Sequence, residues 1–335
     1  MNSGSIKCHL SPFAGFIPVE KLIASSGHRF VLPFWHAVSD VHLPHLSQLY
    51  RVPTVSEFER DLDFLLKNYK SASVEDVFRL ANNKGKSNQN LFFPSFDDGL
   101  AECYHVIAPI LKRKGIQAAF FINPAFIGNK MLFHRLKSSL LLNSISQINP
   151  SGIKSAEQHL KNRNIHQFLH KATFTDHSLL DQLAEIFGLD FELFLKQKQP
   201  YMNLQQIKEL QADGFLIGAH GMDHREFFLS SEDEILEQIS SSMEFLIREI
   251  NPPINTFAFP FTDFKVSNSV FEKANTDRLW DVSFGTAGIK DETMKNHLQR
   301  IPMESGVSKD GEKVIKTEYI GYYLKSVFGK NKVSR

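Results

Sequence analysis

Apolar residues along the 335-residue chain fall into short blocks of two kinds that take turns. The first, Phe30-Val31-Leu32-Pro33-Phe34-Trp35-His36, is a continuous apolar and aromatic run ending at the polar Ser39 and Asp40, which predicts a buried strand. Phe58, Leu62, Leu65 and Leu66 then recur at helical spacing behind a Thr54/Ser56 capping signal, so an amphipathic helix is expected over 54–67. The alternation continues as a strand at 91–96, a helix around 107–114 and a strand at 118–122. Between about 132 and 200 the chain turns polar while Leu179, Leu180, Leu183, Ile186 and Phe187 keep a helical period, which reads as a helical insertion. A helix at 203–210, a strand at 215–219, a Glu-rich helix at 231–249 and strands at 256–259 and 282–284 complete the series.

Strands and helices in alternation imply a mostly parallel sheet. Seven or so such units without edge-type alternation predict an α/β fold closed, or nearly closed, into a barrel, and no solenoid repeat is present. The chain divides on this reading into an N-terminal extension (1–29), a barrel (30–305, with the insertion at about 132–200) and a C-terminal helical tail (306–335).

Composition narrows the function. A 42% hydrophobic content fills a substantial core, and 38 basic residues against 37 acidic ones create no field that would gather nucleic acid. Cys8 and Cys103 have no paired spacing and read as free thiols. The stretch Met1 to Lys7 lacks the basic-then-apolar pattern of a secretory signal, and no run approaches the roughly 20 apolar residues of a membrane span. A cytoplasmic protein is expected. The aromatic stretch Glu318 to Phe328, followed by Lys330, Lys332 and Arg335, reads as a helix packed on the barrel, with peripheral membrane contact as the alternative.

Two motifs carry chemistry. Ser95-Phe96-Asp97-Asp98-Gly99 ends a predicted strand, placing two adjacent carboxylates at the rim where barrel active sites lie. Among apolar neighbours such a pair needs a cation or a proton. His220-Gly221-Met222-Asp223-His224 also follows a strand, and two histidines four residues apart can converge on a metal if the segment makes a helical turn. Each motif alone reads better as a surface turn or a chance histidine pair. Together they offer one Asp and two His on one rim, leaving zinc an open position for water.

From about Phe30 to Glu304 the chain resembles the polysaccharide deacetylases, the NodB-homology family also called carbohydrate esterase family four. The motifs that carry the likeness are Ser95-Phe96-Asp97-Asp98-Gly99 and His220-Gly221-Met222-Asp223-His224, where Gly221 replaces the family's usual hydroxyl residue. The resemblance implies a distorted (β/α)7 barrel, a divalent metal, most simply Zn2+, on Asp98, His220 and His224, and Asp97 as general base. It places Pro260 and Phe261 of Phe257-Ala258-Phe259-Pro260-Phe261 along the sugar pocket. The family's Arg that holds the base has no counterpart in that stretch, and Arg300 is the candidate substitute, with a surface ion pair as its alternative. Trp280 to Gly288 resembles the strand and loop that bring an aromatic wall to the acetyl group, with a plain core strand and Gly turn as the alternative. His297 lies on the wrong side of Leu298 for the family's proton-donating histidine, which leaves the general acid open. His36 resembles a Tyr-His-x-Val stretch of one branch, which implies contact with substrate or support of its neighbours, with a satisfied core histidine as the alternative.

The implied function is removal of acetyl from an N-acetylated sugar, in an intracellular glycan precursor of surface-polysaccharide assembly. Hydrolysis of a non-sugar C–N bond and carbohydrate binding without turnover are the alternatives.

Overall fold

A computed structural model describes residues 17–335. Cys8 and the Met1 to Lys7 stretch lie outside the described residues. Eleven short strands are present among them: β1 (Phe30–Val31), β2 (Pro33–Trp35), β3 (Lys70–Ser71), β4 (Leu91–Phe92), β5 (Ser95–Phe96), β6 (Ala119–Ile122), β7 (Leu216–Ala219), β8 (Thr256–Ala258), β9 (Val282–Gly285), β10 (His297–Gln299) and β11 (Ile301–Pro302). Every pairing between them is parallel.

The main sheet runs β10-β9-β8-β7-β6-β5-β2-β11. Its two end strands are neighbours in sequence, separated by Arg300 alone. The segment 297–302 therefore pairs with β9 through its first half and with β2 through its second, and this closes the sheet into a barrel of seven strand positions. The expectation of a distorted (β/α)7 barrel holds.

Period-2 alternation sorts the strand residues into two cores. Phe30, Leu32, Leu91, Phe93, Ala119, Phe121, Leu216, Ala258, Val282, Phe284 and Leu298 cluster together and fill the inside of the barrel. Their alternates, such as Val31, Phe92, Phe120, Ile217 and Phe257, face the surrounding helices. Helix Val74–Asn82, not among the elements expected from the sequence, joins the inner cluster through Val74, Val77, Leu80 and Ala81. Ser73 and Asp76 close a capping box at its start. Thr54 and Glu57 do the same for helix Val55–Asn68.

The insertion is built of helices His134–Ser144, Pro150–His159, Ile165–Lys171, His177–Phe187 and Phe191–Lys198 around an apolar cluster of their own. The described residues on either side of the barrel share its outer core. Helix Val19–Ser26 packs on helix Gly311–Val327, and Val19, Leu22, Ile23, Val314, Ile315 and Tyr319 all belong to the outer core. No helix among the described residues is long and apolar enough to cross a membrane.

The crowded interior explains Gly218. A Cβ there would stand 2.5 Å from the Phe121 ring and 2.5 Å from Thr256 Oγ1. Gly218→Ala should therefore overpack the barrel and lower stability by about 1–3 kcal/mol, measured by urea unfolding. An unchanged midpoint would show that the strands next to His220 are looser than the contacts indicate.

Candidate active site

Strands β2, β5, β7 and β8 deliver their carboxyl ends to one pocket of about 260 Å3, whose lining includes His36, Tyr50, Asp97, Asp98, Arg135, Phe133, His220, His224, Phe261 and Thr286. A larger cavity of about 380 Å3, between residues 26–32 and 288–292, contains none of the predicted site residues.

Asp98, His220 and His224 converge with their ligand atoms within 4.8 Å of one another, and all three are buried. The Asp98 Oδ1 atom lies 3.0 Å from His224 Nε2 and 3.6 Å from His220 Nε2. It has no aligned hydrogen bond among the described residues. Those edges bracket the roughly 3.3 Å expected between ligand atoms on a tetrahedral ion with bonds of about 2.0 Å. Across the ring, His220 Nδ1 stands 2.8 Å from the Ala258 carbonyl, so Nδ1 carries the proton and Nε2 keeps its lone pair toward Asp98. Burial, together with the charges of His224 and Arg300, pulls His220 down to about 4 against the opposing carboxylates, so the imidazole is neutral at neutral pH. Burial pushes the Asp98 carboxyl up, but His224 and the other nearby imidazoles more than offset it and hold the group ionised. This donor set fits a divalent cation.

The histidine segment reaches this geometry without the predicted helical turn. Residues 220–224 form a bend in which Gly221 has φ +72° and His224 φ +57°. A side chain at 221 would meet the left-handed backbone and Pro260 Cγ at 3.3 Å, which accounts for glycine in place of a hydroxyl residue. The Asn123 amide donates to the carbonyls of His220 and Gly221, and Gln238 Oε1 accepts from the Met222 amide at 3.0 Å. Asp98 (φ 72°) and Phe261 (φ 55°) are left-handed as well, so three non-glycine pocket residues hold a backbone disfavoured by about 1–3 kcal/mol each.

Arg300 is completely buried, and the surface ion pair considered for it does not exist. Its Nη1 donates to Asp97 Oδ1 at 2.6 Å and to Ser95 Oγ at 3.1 Å, and its Nη2 donates to Asp97 Oδ2 at 2.8 Å. The guanidinium also lies over the rings of Phe34 (4.3 Å) and Phe121 (5.2 Å). Burial works to raise the Asp97 pKa, but Arg300 first and then His220 outweigh it, so the carboxyl stays below its ordinary value.

Of the other predicted residues, His36 and Phe261 line the pocket, whereas Pro260 is buried behind Gly221. His36 Nδ1 contacts Glu304 Oε2 at 2.5 Å, and its ring stacks on Tyr50. Burial would lower the His36 pKa, yet the Glu304 charge and hydrogen bond, with smaller contributions from Asp98 and Asp97, raise it to about 9. His297 is instead a core histidine, fully buried, with Nδ1 at 2.8 Å from Ser283 Oγ and Nε2 at 3.2 Å from Asp263. Trp280 is buried as well, stacked on Phe257 and absent from the pocket wall.

The structure adds residues that the motifs did not reveal. Glu304 orients His36, and the buried Tyr50 hydroxyl has no hydrogen-bond partner among the described residues. Asp263 accepts from the amide of Thr286 at 3.2 Å and so braces the pocket wall. The negative charge of Asp263 and Glu292 is met by Arg335, whose guanidinium lies over Phe271. Glu304, Asp263 and Arg335 carry no local sequence signal, because each depends on a partner tens of residues away or more.

Replacing Arg300 tests the pairing. Arg300→Ala leaves a buried carboxylate unanswered, which costs about 3–5 kcal/mol of stability by denaturant unfolding. It also lets burial raise the Asp97 pKa, so the acid limb of the kcat/KM profile should move to higher pH. A limb that stays in place would separate Asp97 from the ionisation controlling activity.

A family model described as polysaccharide deacetylase matches residues 84–276, well over half of the chain. Among solved structures, the deacetylase PplD of Streptococcus pyogenes, in complex with acetate, is similar at 16% identity and a TM-score of 0.54, over 86% of this chain and 97% of that one. IcaB from Ammonifex degensii matches at 15% identity and 0.54, over 87% and 98%. BC0361, a polysaccharide deacetylase from Bacillus cereus, matches at 13% and 0.51, over 86% and 68%. At such identities these structures speak to the fold. No curated protein matches the sequence. With the matched segment running from before the Asp97-Asp98 pair to beyond Phe261, the chain belongs to the polysaccharide deacetylase family, hydrolases of carbon–nitrogen bonds.

Proposed function

We propose that the protein removes the acetyl group from an N-acetylated amino sugar, with Zn2+ on Asp98, His220 and His224, and that its substrate is a glycan precursor in surface-polysaccharide assembly. The observation that carries this reading is the meeting of those three ligands with the Asp97–Arg300 pair in one pocket. A volume of about 260 Å3 suits a single sugar ring.

A bound divalent cation supplies Lewis acidity, which polarises the acetyl carbonyl and acidifies water at neutral pH. Asp97, kept ionised by Arg300, accepts the proton of the attacking water. Both its oxygens are engaged by the guanidinium, and each retains a second lone pair. Arg300 fixes the carboxylate plane, so the base need not reorganise. As the C–N bond breaks, the amine nitrogen needs a proton. His36 is the donor in this proposal: it lines the pocket, is protonated at neutral pH and is oriented through Nδ1 by Glu304, leaving Nε2 for the amine. His297 has both ring nitrogens engaged in the core. The products are acetate and the free amino sugar. An intact base with its arginine partner supports turnover over a binding-only barrel.

Acetate release from N-acetylated sugars with added zinc is the direct test. Asp97→Asn should lower kcat by about 10²–10⁴-fold. His224→Ala should lose both bound metal, measured by elemental analysis, and activity. Since His36 must be protonated to donate, kcat should fall as pH rises through about 9. His36→Gln should lower kcat and abolish that alkaline limb. Full activity in Asp97→Asn would remove the proposed base and the mechanism with it.

A further inference from the structure

The pocket contains one cation that the chemistry above does not use. Arg135 lies in the first turn of helix His134–Ser144, part of the insertion, and its side chain lines the same pocket as Asp97, Asp98 and both ligand histidines. A cation in the first turn of a helix opposes the helix dipole. The helix does nothing to relieve it, since its first turn has no acidic residue and Phe133 provides no side-chain cap.

The guanidinium is held in place without a direct ion pair. Its Nη1 donates to the carbonyls of His170 at 3.0 Å and Ala172 at 3.5 Å, and among the described residues it has no ion pair. The pocket carboxylates are committed elsewhere, Asp97 to Arg300 and Asp98 to the two histidines. Glu226 is the carboxylate whose charge reaches Arg135, but Oε1 is at 3.0 Å from His134 Nε2 and Oε2 accepts from the Phe174 amide at 3.1 Å. Burial disfavours the charged guanidinium. A partly buried Arg at the edge of a catalytic pocket, with Nε and Nη2 left over and an anchor on Nη1, is arranged to bind an oxyanion through two donors.

Resting on the deacetylase reading, we infer that Arg135 recognises an anionic group, a phosphate or a carboxylate, carried by the acetamido sugar. The substrate class is then an acidic amino sugar rather than a neutral glycan, and the insertion supplies the specificity while the barrel supplies the chemistry. Arg135 is on this view a substrate-binding residue, distinct from the groups that move protons.

The test compares acetate release from three probes: the methyl glycoside of N-acetylglucosamine, N-acetylglucosamine 1-phosphate and an N-acetylated aminouronic acid. Wild type should favour at least one acidic probe over the glycoside by roughly tenfold or more in kcat/KM, the scale of a hydrogen bond to a charged group. The better acidic probe identifies phosphate or carboxylate, and added salt should shrink the preference. In Arg135→Gln the ratio of acidic to neutral probe should collapse toward one, mostly through KM, while Arg135→Lys retains part of it. Because a ratio of substrates is read within each variant, partial misfolding does not imitate the effect. Equal treatment of all three probes by the wild type, or a preference that survives Arg135→Gln, would overturn the inference and leave the deacetylase reading intact. No acetate from any probe with metal bound would instead count against the deacetylase reading and bring this one down with it.

Discussion

One buried ion pair joins the architecture of this protein to its chemistry. Arg300 separates β10 from β11, where the same stretch of chain leaves β9 and joins β2 to close the barrel, and its guanidinium holds both oxygens of Asp97. Placing an arginine and a carboxylate where almost no solvent reaches costs several kcal/mol of desolvation per ion. Two parallel hydrogen bonds, a third to Ser95 and the faces of Phe34 and Phe121 offset that cost. The constraint also sets register. A slip of one residue in the closing strand would turn Arg300 away from Asp97 and put an unpaired charge against the helices, so barrel closure and an ionised Asp97 are specified by the same contact.

Around this fixed point the rim is built from backbone that is disfavoured in isolation. Asp98, His224 and Phe261 are left-handed, and Gly221 is left-handed too (φ +72°), with Pro260 Cγ 3.3 Å from where a Cβ would stand. What sustains such a rim is the rigidity beneath it: Phe121 and Phe284 fill the barrel, Gly218 makes room for Phe121, and Asn123 and Gln238 tie the histidine bend to its surroundings. Asp263 performs the same office for Thr286 after β9, and Arg335 answers its charge. Strain at the site and order below it are two aspects of one design.

The parts of this arrangement visible in the sequence were those with a local signature. Strand runs, helix caps and the Asp97-Asp98 and His220/His224 motifs depend on neighbours within a few positions, so pattern reasoning located them. The path of residues 220–224 was not visible, because a spacing of four fits a helical turn and a left-handed bend equally well. Helix Val74–Asn82 also had a local signature, a Ser73/Asp76 capping box with Val74, Val77, Leu80 and Ala81 at helical spacing, and was overlooked for its shortness rather than for want of a signal. Glu304, Arg335 and Arg135 escaped for a different reason. A lone charged residue looks solvated until the fold shows which partner it meets, or that it meets none.

The two histidine–carboxylate pairs illustrate the same limit from the chemical side. His297 with Asp263 (3.2 Å) and His36 with Glu304 (2.5 Å) are both hydrogen-bonded dyads, and motif position alone would direct attention to the former. Proton transfer to a leaving group nevertheless needs a ring nitrogen that no protein atom occupies and a path to the reacting bond. His297 spends Nδ1 on Ser283 and Nε2 on Asp263, with no exposed surface, so its network stabilises the wall. His36 spends only Nδ1, keeps 23% of its side chain exposed and lines the pocket that holds Asp97. The distinction lies in which nitrogens are already satisfied, and that is a property of packing.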